Sequence, residues 1–185
     1  MATFVVGGIE KIEYAPASLT GVVSTWKPMP NIAVGTVAMT KNIGTKTTIK
    51  KEDGNTAFVN VFQPADGDTL TIGLLEQNPE LVQELFSVEY DAETTTMEYF
   101  AEEKIARLAI RITTVPMSDG RKAVITIYNN DVQTGYVNNL TADAVEQLAL
   151  TASIGSYRKA GDTKDKVYTK QFVLANGTVI DSTPA

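Results

Sequence analysis

Arg107–Val115 reads RLAIRITTV, and Lys122–Asn129 reads KAVITIYN. In the first stretch Leu108, Ile110 and Ile112 fall on one side. Arg107, Ala109, Arg111 and Thr113 fall on the other, which is the period of two that a half-buried strand requires. The second stretch is rich in β-branched residues, which pack well on a pleated surface. Between them lies PMSDGR, Pro116 to Arg121, where Pro, Asp and Gly each suit a turn. The pair predicts an antiparallel hairpin, and with it a chain that is mainly β.

Working outward, the same period recurs in LALTASI, where Leu148, Leu150, Ala152 and Ile154 alternate with Ala149, Thr151 and Ser153. A second hairpin is expected from AFVNVFQ through PADGD to TLTIGLLE, and earlier strands at GIEKIEY and NIAVGTVAMT. One helix is predicted at NPELVQELF. Asn78 suits its N-cap, Pro79 its first position, and Glu80 its electropositive first turn. Leu81, Val82 and Leu85 would bury one face, and so short a helix must dock to be stable. LTADAVEQL is read as a turn leading into the strand at Leu148, with a second helix as the alternative.

The 185 residues predict one domain spanning 1–185. A hydrophobic share of 43% allows a core without covalent staples. No Cys and no His occur. Thiolate metal sites, disulfides and every catalytic arrangement built on Cys or His are therefore excluded. Paired carboxylates remain open in principle, but no pattern pairs two of them in a cleft. Gly44-Thr45-Lys46 lacks the earlier glycine of a phosphate loop, and Asp66-Gly67-Asp68 reads as turn chemistry. Trp26 is read as a packing residue. The expectation is a non-enzymatic protein without cofactor or metal. The opening MATFVVGGIEKIEY predicts neither a signal peptide nor a membrane span, and so a cytoplasm-like setting.

Charge is unevenly placed. Glu76–Glu103 holds nine Asp or Glu and no Lys or Arg, leaving 13 acids against 16 bases elsewhere in a chain of net charge −6. Two polar excursions are basic instead. KNIGTKTTIKKEDGN forms a hairpin excursion at about 41–55, and GSYRKAGDTKDKVYTK a second one, both with Gly and Thr suited to flexible hairpins. A short extension at about 176–185 ends the chain. An acidic balance argues against a grip on nucleic acid, which relies on Lys and Arg at phosphate.

In this order the features resemble the tail tube proteins, or major tail proteins, of tailed bacteriophages. The stretches that carry the likeness are GIEKIEYAPAS followed by GVVSTWKPM, the hairpin TKTTIKKEDGN, the strand-to-helix run LTIGLLEQNPELVQELF, and RLAIRITTV with KAVITIYN before LTADAVEQLALTAS. They span residues 9 to 155 and match by order and pattern. The resemblance implies a β-sandwich or incomplete β-barrel flanked by one α-helix, with long hairpin loops. It implies rings, typically of six subunits, stacked into a hollow conduit that holds a tape-measure protein and later passes DNA into the host. Partners would be other copies of the chain, the tape-measure protein, and tail-terminator and baseplate proteins. The place would be the virion tail, after synthesis in a bacterial cytoplasm.

On that reading Lys46, Lys50 and Lys51 lie on a hairpin reaching an adjacent subunit or ring. Glu89, Asp91, Glu93 and Glu98 line the lumen or a subunit boundary, with Glu80 and Glu84 facing outward. An acidic wall makes no phosphate contacts, and its repulsion is screened beyond about 8–10 Å at physiological salt. The alternatives are the tube subunit of a contractile tail or injection apparatus, a ligand-binding β-sandwich of a tail fibre or adhesin, and a capsid-decoration or head–tail joining protein. A ligand-binding sandwich would gather aromatics on one exposed face, whereas here they are scattered along the chain.

Overall fold

The computed structural model describes residues 7–50, 57–63, 67–75, 78–102, 104–117, 119–137 and 146–178. In chain order its elements are β1 (Ile9–Pro16), β2 (Lys27–Met29), β3 (Ala38–Thr40), β4 (Thr45–Lys50), β5 (Ala57–Gln63), β6 (Thr69–Leu74), α1 (Pro79–Leu85), β7 (Val88–Asp91), β8 (Thr96–Tyr99), β9 (Ala106–Thr114), β10 (Arg121–Val137), β11 (Gln147–Ile154) and β12 (Thr169–Leu174). Among the described residues the fold is mainly β, antiparallel, with one flanking helix; most of LTADAVEQL, read as a turn or a second helix, lies outside them.

The main sheet runs β2-β1-β9-β10-β11-β6-β3, with β12 also on β10. Its order shows why β10 is so long. One side of β10 pairs with β9; the other takes β12 along Arg121–Thr126 and β11 along Asn130–Val137. The register shifts between Ile127 and Asn130. There buried Asn130 donates from Nδ2 to the Leu108 carbonyl at 2.9 Å, satisfying a backbone acceptor at the irregularity. The stretch read as KAVITIYN is thus only the first half of the strand.

The two ends of the sheet meet through one segment. Lys27–Met29 pairs with β1, and Ile32 bridges Leu74 of β6. The Leu75 amide donates to the Asn31 carbonyl and the Ala33 amide to the Gly73 carbonyl, both at 2.8 Å. Beyond a turn, β3 continues along β6. The sheet therefore comes round on itself as an incomplete barrel, which leaves fewer open edges than a flat sheet. Of the strand expected over NIAVGTVAMT, only the Ile32 bridge and β3 form.

The core follows the alternation. Ile12, Leu70, Ile72, Leu108, Ile110, Leu148 and Leu150 share one buried cluster with Leu81, Val82 and Leu85 of the helix. α1 begins as its sequence dictates: the Asn78 side chain accepts from the Glu80 amide at 2.9 Å, and Pro79 occupies the first turn. The second face of β9 is drier than expected. Ala109 is buried against Ala15 of β1, and Thr113 is buried too.

The second basic excursion differs from a flexible hairpin. Tyr157 and Lys166 form a β-bridge, Arg158 pairs with Asp165 at 2.7 Å, and Lys166 pairs with Asp162 at 2.7 Å. Tyr157 is buried against the Tyr128 ring, and a Cβ on Gly21 would meet its ring at 2.7 Å. Gly21 also has a φ of +68°, so glycine suits that site twice over.

Candidate functional site

Two hairpins stand apart from the main sheet: β4–β5 and β7–β8 each form a separate two-stranded sheet. They hold six of the seven candidate residues.

The β4–β5 hairpin corrects one expectation. AFVNVFQ pairs with β4, and TLTIGLLE pairs with β11 and β3 in the barrel, so no β5–β6 hairpin forms. The PADGD turn signal is local, whereas β5 pairs back with β4 and β6 pairs with β11 and β3. Asp68 helps anchor the base of the excursion: its Oδ1 accepts from the Asn42 amide at 3.1 Å, and Asn42 Nδ2 donates to the Gly67 carbonyl at 2.7 Å. Along the hairpin, Ile49 lies opposite Val59 and Thr47 opposite Val61. Because side chains alternate, these four residues share a face. Ile49, Val59 and Val61 are 48%, 43% and 49% exposed there, so the face is apolar and uncovered. Lys46, opposite Phe62, is exposed on the other face. Lys50 is opposite Ala57 in the backbone register, at an irregularity, and Lys51 lies outside the described residues. Lysine spacing pointed to this hairpin, but the period-two row of Ile49, Val59 and Val61 was the signal missed.

The β7–β8 hairpin is arranged the opposite way. Val88, Tyr90 and Met97 are partly buried, and Val88 and Met97 pack on the core. Tyr99 meets both Phe86 and Tyr136 edge-on at 6.0 Å, and those two rings stack at 5.0 Å. The Tyr99 and Tyr136 hydroxyls are hydrogen-bonded. Burial, with Tyr99 beside it, pushes the Tyr136 hydroxyl well above its ordinary range. Aromatics scattered in sequence are thus gathered in space, but they spend their faces and hydroxyls on one another.

The outward face of β7–β8 carries the acids. Glu89 lies directly opposite Glu98, and Asp91 opposite Thr96. All four are exposed. Like charges directly opposite on a sheet repel, so this face is held against an electrostatic cost. Glu93 is in the turn, where its amide and the Thr94 hydroxyl donate to the Asp91 carboxylate at 2.9 and 2.7 Å. The Thr94 bond, then the Glu93 amide, hold Asp91 below the ordinary carboxylate range. Thr95 takes a φ of +53°, an uncomfortable region for a β-branched residue. Glu89, Asp91 and Glu98 are therefore brought onto one face, with Glu93 at its end.

The rest of the acidic strip is used differently. Glu80 and Glu84 are exposed on α1, and Glu80 accepts from Lys27 Nζ at 3.1 Å. Trp26 packs under Arg111, whose guanidinium carbon lies 4.5 Å from its ring centroid. Arg111 also pairs with Glu13 at 2.8 Å. Among the described residues, no group of three or more acidic side chains is placed to hold a metal ion.

No family model matches the chain, and no curated protein matches it. Among solved structures it is similar to a chain of the anti-feeding prophage baseplate, determined by cryo-electron microscopy with 6-fold symmetrisation. That likeness has a TM-score of 0.35 at 12% identity and covers 95% of this chain and 99% of the other. A score of that size assigns neither fold nor role, so the functional reading rests on the chain's own surfaces.

Proposed function

We propose that the chain is a structural subunit of a phage tail tube, self-assembling into stacked rings around a conduit that passes DNA. The observation that carries this reading is the β4–β5 hairpin. A lone two-stranded hairpin is marginal in water, and this one leaves Ile49, Val59 and Val61 uncovered on one face. An apolar row of that kind is a surface built to be covered by a partner. Another copy of the same chain would cover it in a ring or between rings, with Lys46, Lys50 and Lys51 on the same excursion meeting acidic surface. Opposed charge of that sort sets register and speeds addition.

The acidic face of Glu89, Asp91 and Glu98 suits a lumen or a subunit boundary. The repulsion it carries in the monomer is tolerable where the face must stay free of phosphate, and is relieved where a basic surface meets it. In this reading the tape-measure protein occupies the channel during assembly, and terminator and baseplate proteins close its ends. The test is negative-stain electron microscopy of the purified chain as concentration is raised, with light scattering alongside. Stacked rings with a central hole are expected. Lys46→Glu/Lys50→Glu/Lys51→Glu should shorten or abolish tubes while the monomer stays folded. Particles that remain solitary at every concentration overturn the reading.

A further inference from the structure

A second surface on the same molecule matches the uncovered hairpin face. Between the start of β1, β2 and the turn after Ile32 lies an open groove of about 760 Å³. Ile9, Met29, Ile32, Val34 and Val37 line it. Val34 is fully exposed at its rim, and Ile9 is partly exposed. Among the described residues the charged ones that border it are Glu10 and Lys11. They are opposite in sign and each is ion-paired within the chain: Glu10 with Lys122 at 2.5 Å, and Lys11 with Glu13 at 3.2 Å, a carboxylate it shares with Arg111. The lining is thus more apolar than polar, and its two charged residues sum to zero.

That neutrality decides which surfaces can meet. Two copies of a chain of net charge −6 repel each other, so close contact is cheapest where neither side brings an uncompensated charge. The apolar hairpin face, Thr47, Ile49, Val59 and Val61, has no charged residue. The other exposed apolar clusters are less suitable. Tyr99, Phe100 and Ile105 sit among Glu98, Glu102 and Lys104. Among the described residues β4 and β5 pack extensively only on each other, and Ile49, Val59 and Val61 stay exposed, so this face does not fill the groove of its own chain.

We propose that the apolar face of β4–β5 docks into the Ile9–Val37 groove of a second copy, a contact that rests on the self-assembly reading above and names its receiving surface. Two different patches are joined, so the interface is heterologous. Each copy gives a hairpin to one neighbour and accepts one from another, and such a contact propagates into a ring or a stack. Burial of the aliphatic row supplies the attraction, and the ion pairs of Glu10 and Lys11 keep the groove rim from opposing it.

The chain has no cysteine, which makes the test direct. Ile49→Cys and Val34→Cys are introduced separately and together, at positions exposed enough to leave the fold intact. Under mild oxidation the double variant should give a ladder of trimers and larger species on a non-reducing gel. Each single variant alone should stay monomeric, and an equal mixture of the two should give dimers only. Val34→Glu, without any cysteine, should lower the assembled fraction at least ten-fold by light scattering. Disulfide dimers of Ile49→Cys alone would mean that hairpins meet each other, and would overturn the proposal. Normal assembly of Val34→Glu with no ladder would overturn it too, while leaving the self-assembly reading standing. If the unmodified chain never assembles, both fail.

Discussion

The β4–β5 and β7–β8 hairpins have the same local architecture, two antiparallel strands outside the main sheet, and dispose of their apolar faces in opposite ways. β7–β8 turns Val88, Tyr90 and Met97 toward the barrel and shows acids to solvent. β4–β5 leaves Ile49, Val59 and Val61 in the open. The first is finished within one chain; the second, in the function proposed above, is half of an interface. Pairing alone makes a hairpin, but the partner of its apolar face decides whether it serves the monomer or the assembly.

That contrast can be broken most severely by truncating matched pairs. Val88→Ala/Met97→Ala should cost about 2–4 kcal/mol of monomer stability in urea unfolding, since both side chains pack on the core. Ile49→Ala/Val59→Ala should cost less than about 1 kcal/mol in the monomer, because little burial is lost, while reducing assembly. Equal costs would mean that the two hairpins are not different in kind. Next in size, Thr95→Gly should stabilise the β7–β8 turn by about 1 kcal/mol, because glycine adopts the positive φ without strain. A loss of stability there would show that the Thr95 side chain matters more than its backbone.

A smaller effect is expected from Glu98→Gln, which removes the charge facing Glu89. It should raise stability by about 0.2–1 kcal/mol at low salt. The gain should shrink as salt is added, since exposed charges are screened. The smallest effect is a titration. The Asp91 carboxyl is depressed below its ordinary value of 3.8 by Thr94 and the Glu93 amide. Its contribution to the turn is therefore full above that value and is lost as pH falls through the lower folded one. The amide resonance of Glu93 should follow a transition below 3.8, and Asp91→Asn should remove it. A transition at or above 3.8 would mean that the turn bonds do not form.

Much of the barrel was legible because its signals are local. The alternation in RLAIRITTV and LALTASI became the buried rows of β9 and β11, and Asn78 with Pro79 started α1 as written. The failures share one cause. PADGD reads as a hairpin turn, yet β5 pairs back with β4, its neighbour on the other side in the chain, while β6 pairs with the distant β11. KAVITIYN reads as an eight-residue strand, yet β10 continues to Val137 past an irregularity that Asn130 makes tolerable. The basic tally of the second excursion ignored Asp162 and Asp165, whose carboxylates neutralise Lys166 and Arg158 across the loop.

For the candidate surfaces the same division holds. Composition alone excluded chemistry that needs His or Cys, and showed that one strip of chain carries the acidic excess. Only the folded molecule set Glu89 against Glu98, gathered Phe86, Tyr99 and Tyr136, and left Ile49, Val59 and Val61 bare. Periodicity, caps and turns depend on residues a few positions apart, so the sequence by itself determined them. Which strand lies beside which, and which apolar face goes uncovered, depend on competition among distant segments for the same hydrogen bonds and the same buried space. That competition is resolved only when the chain closes around its core.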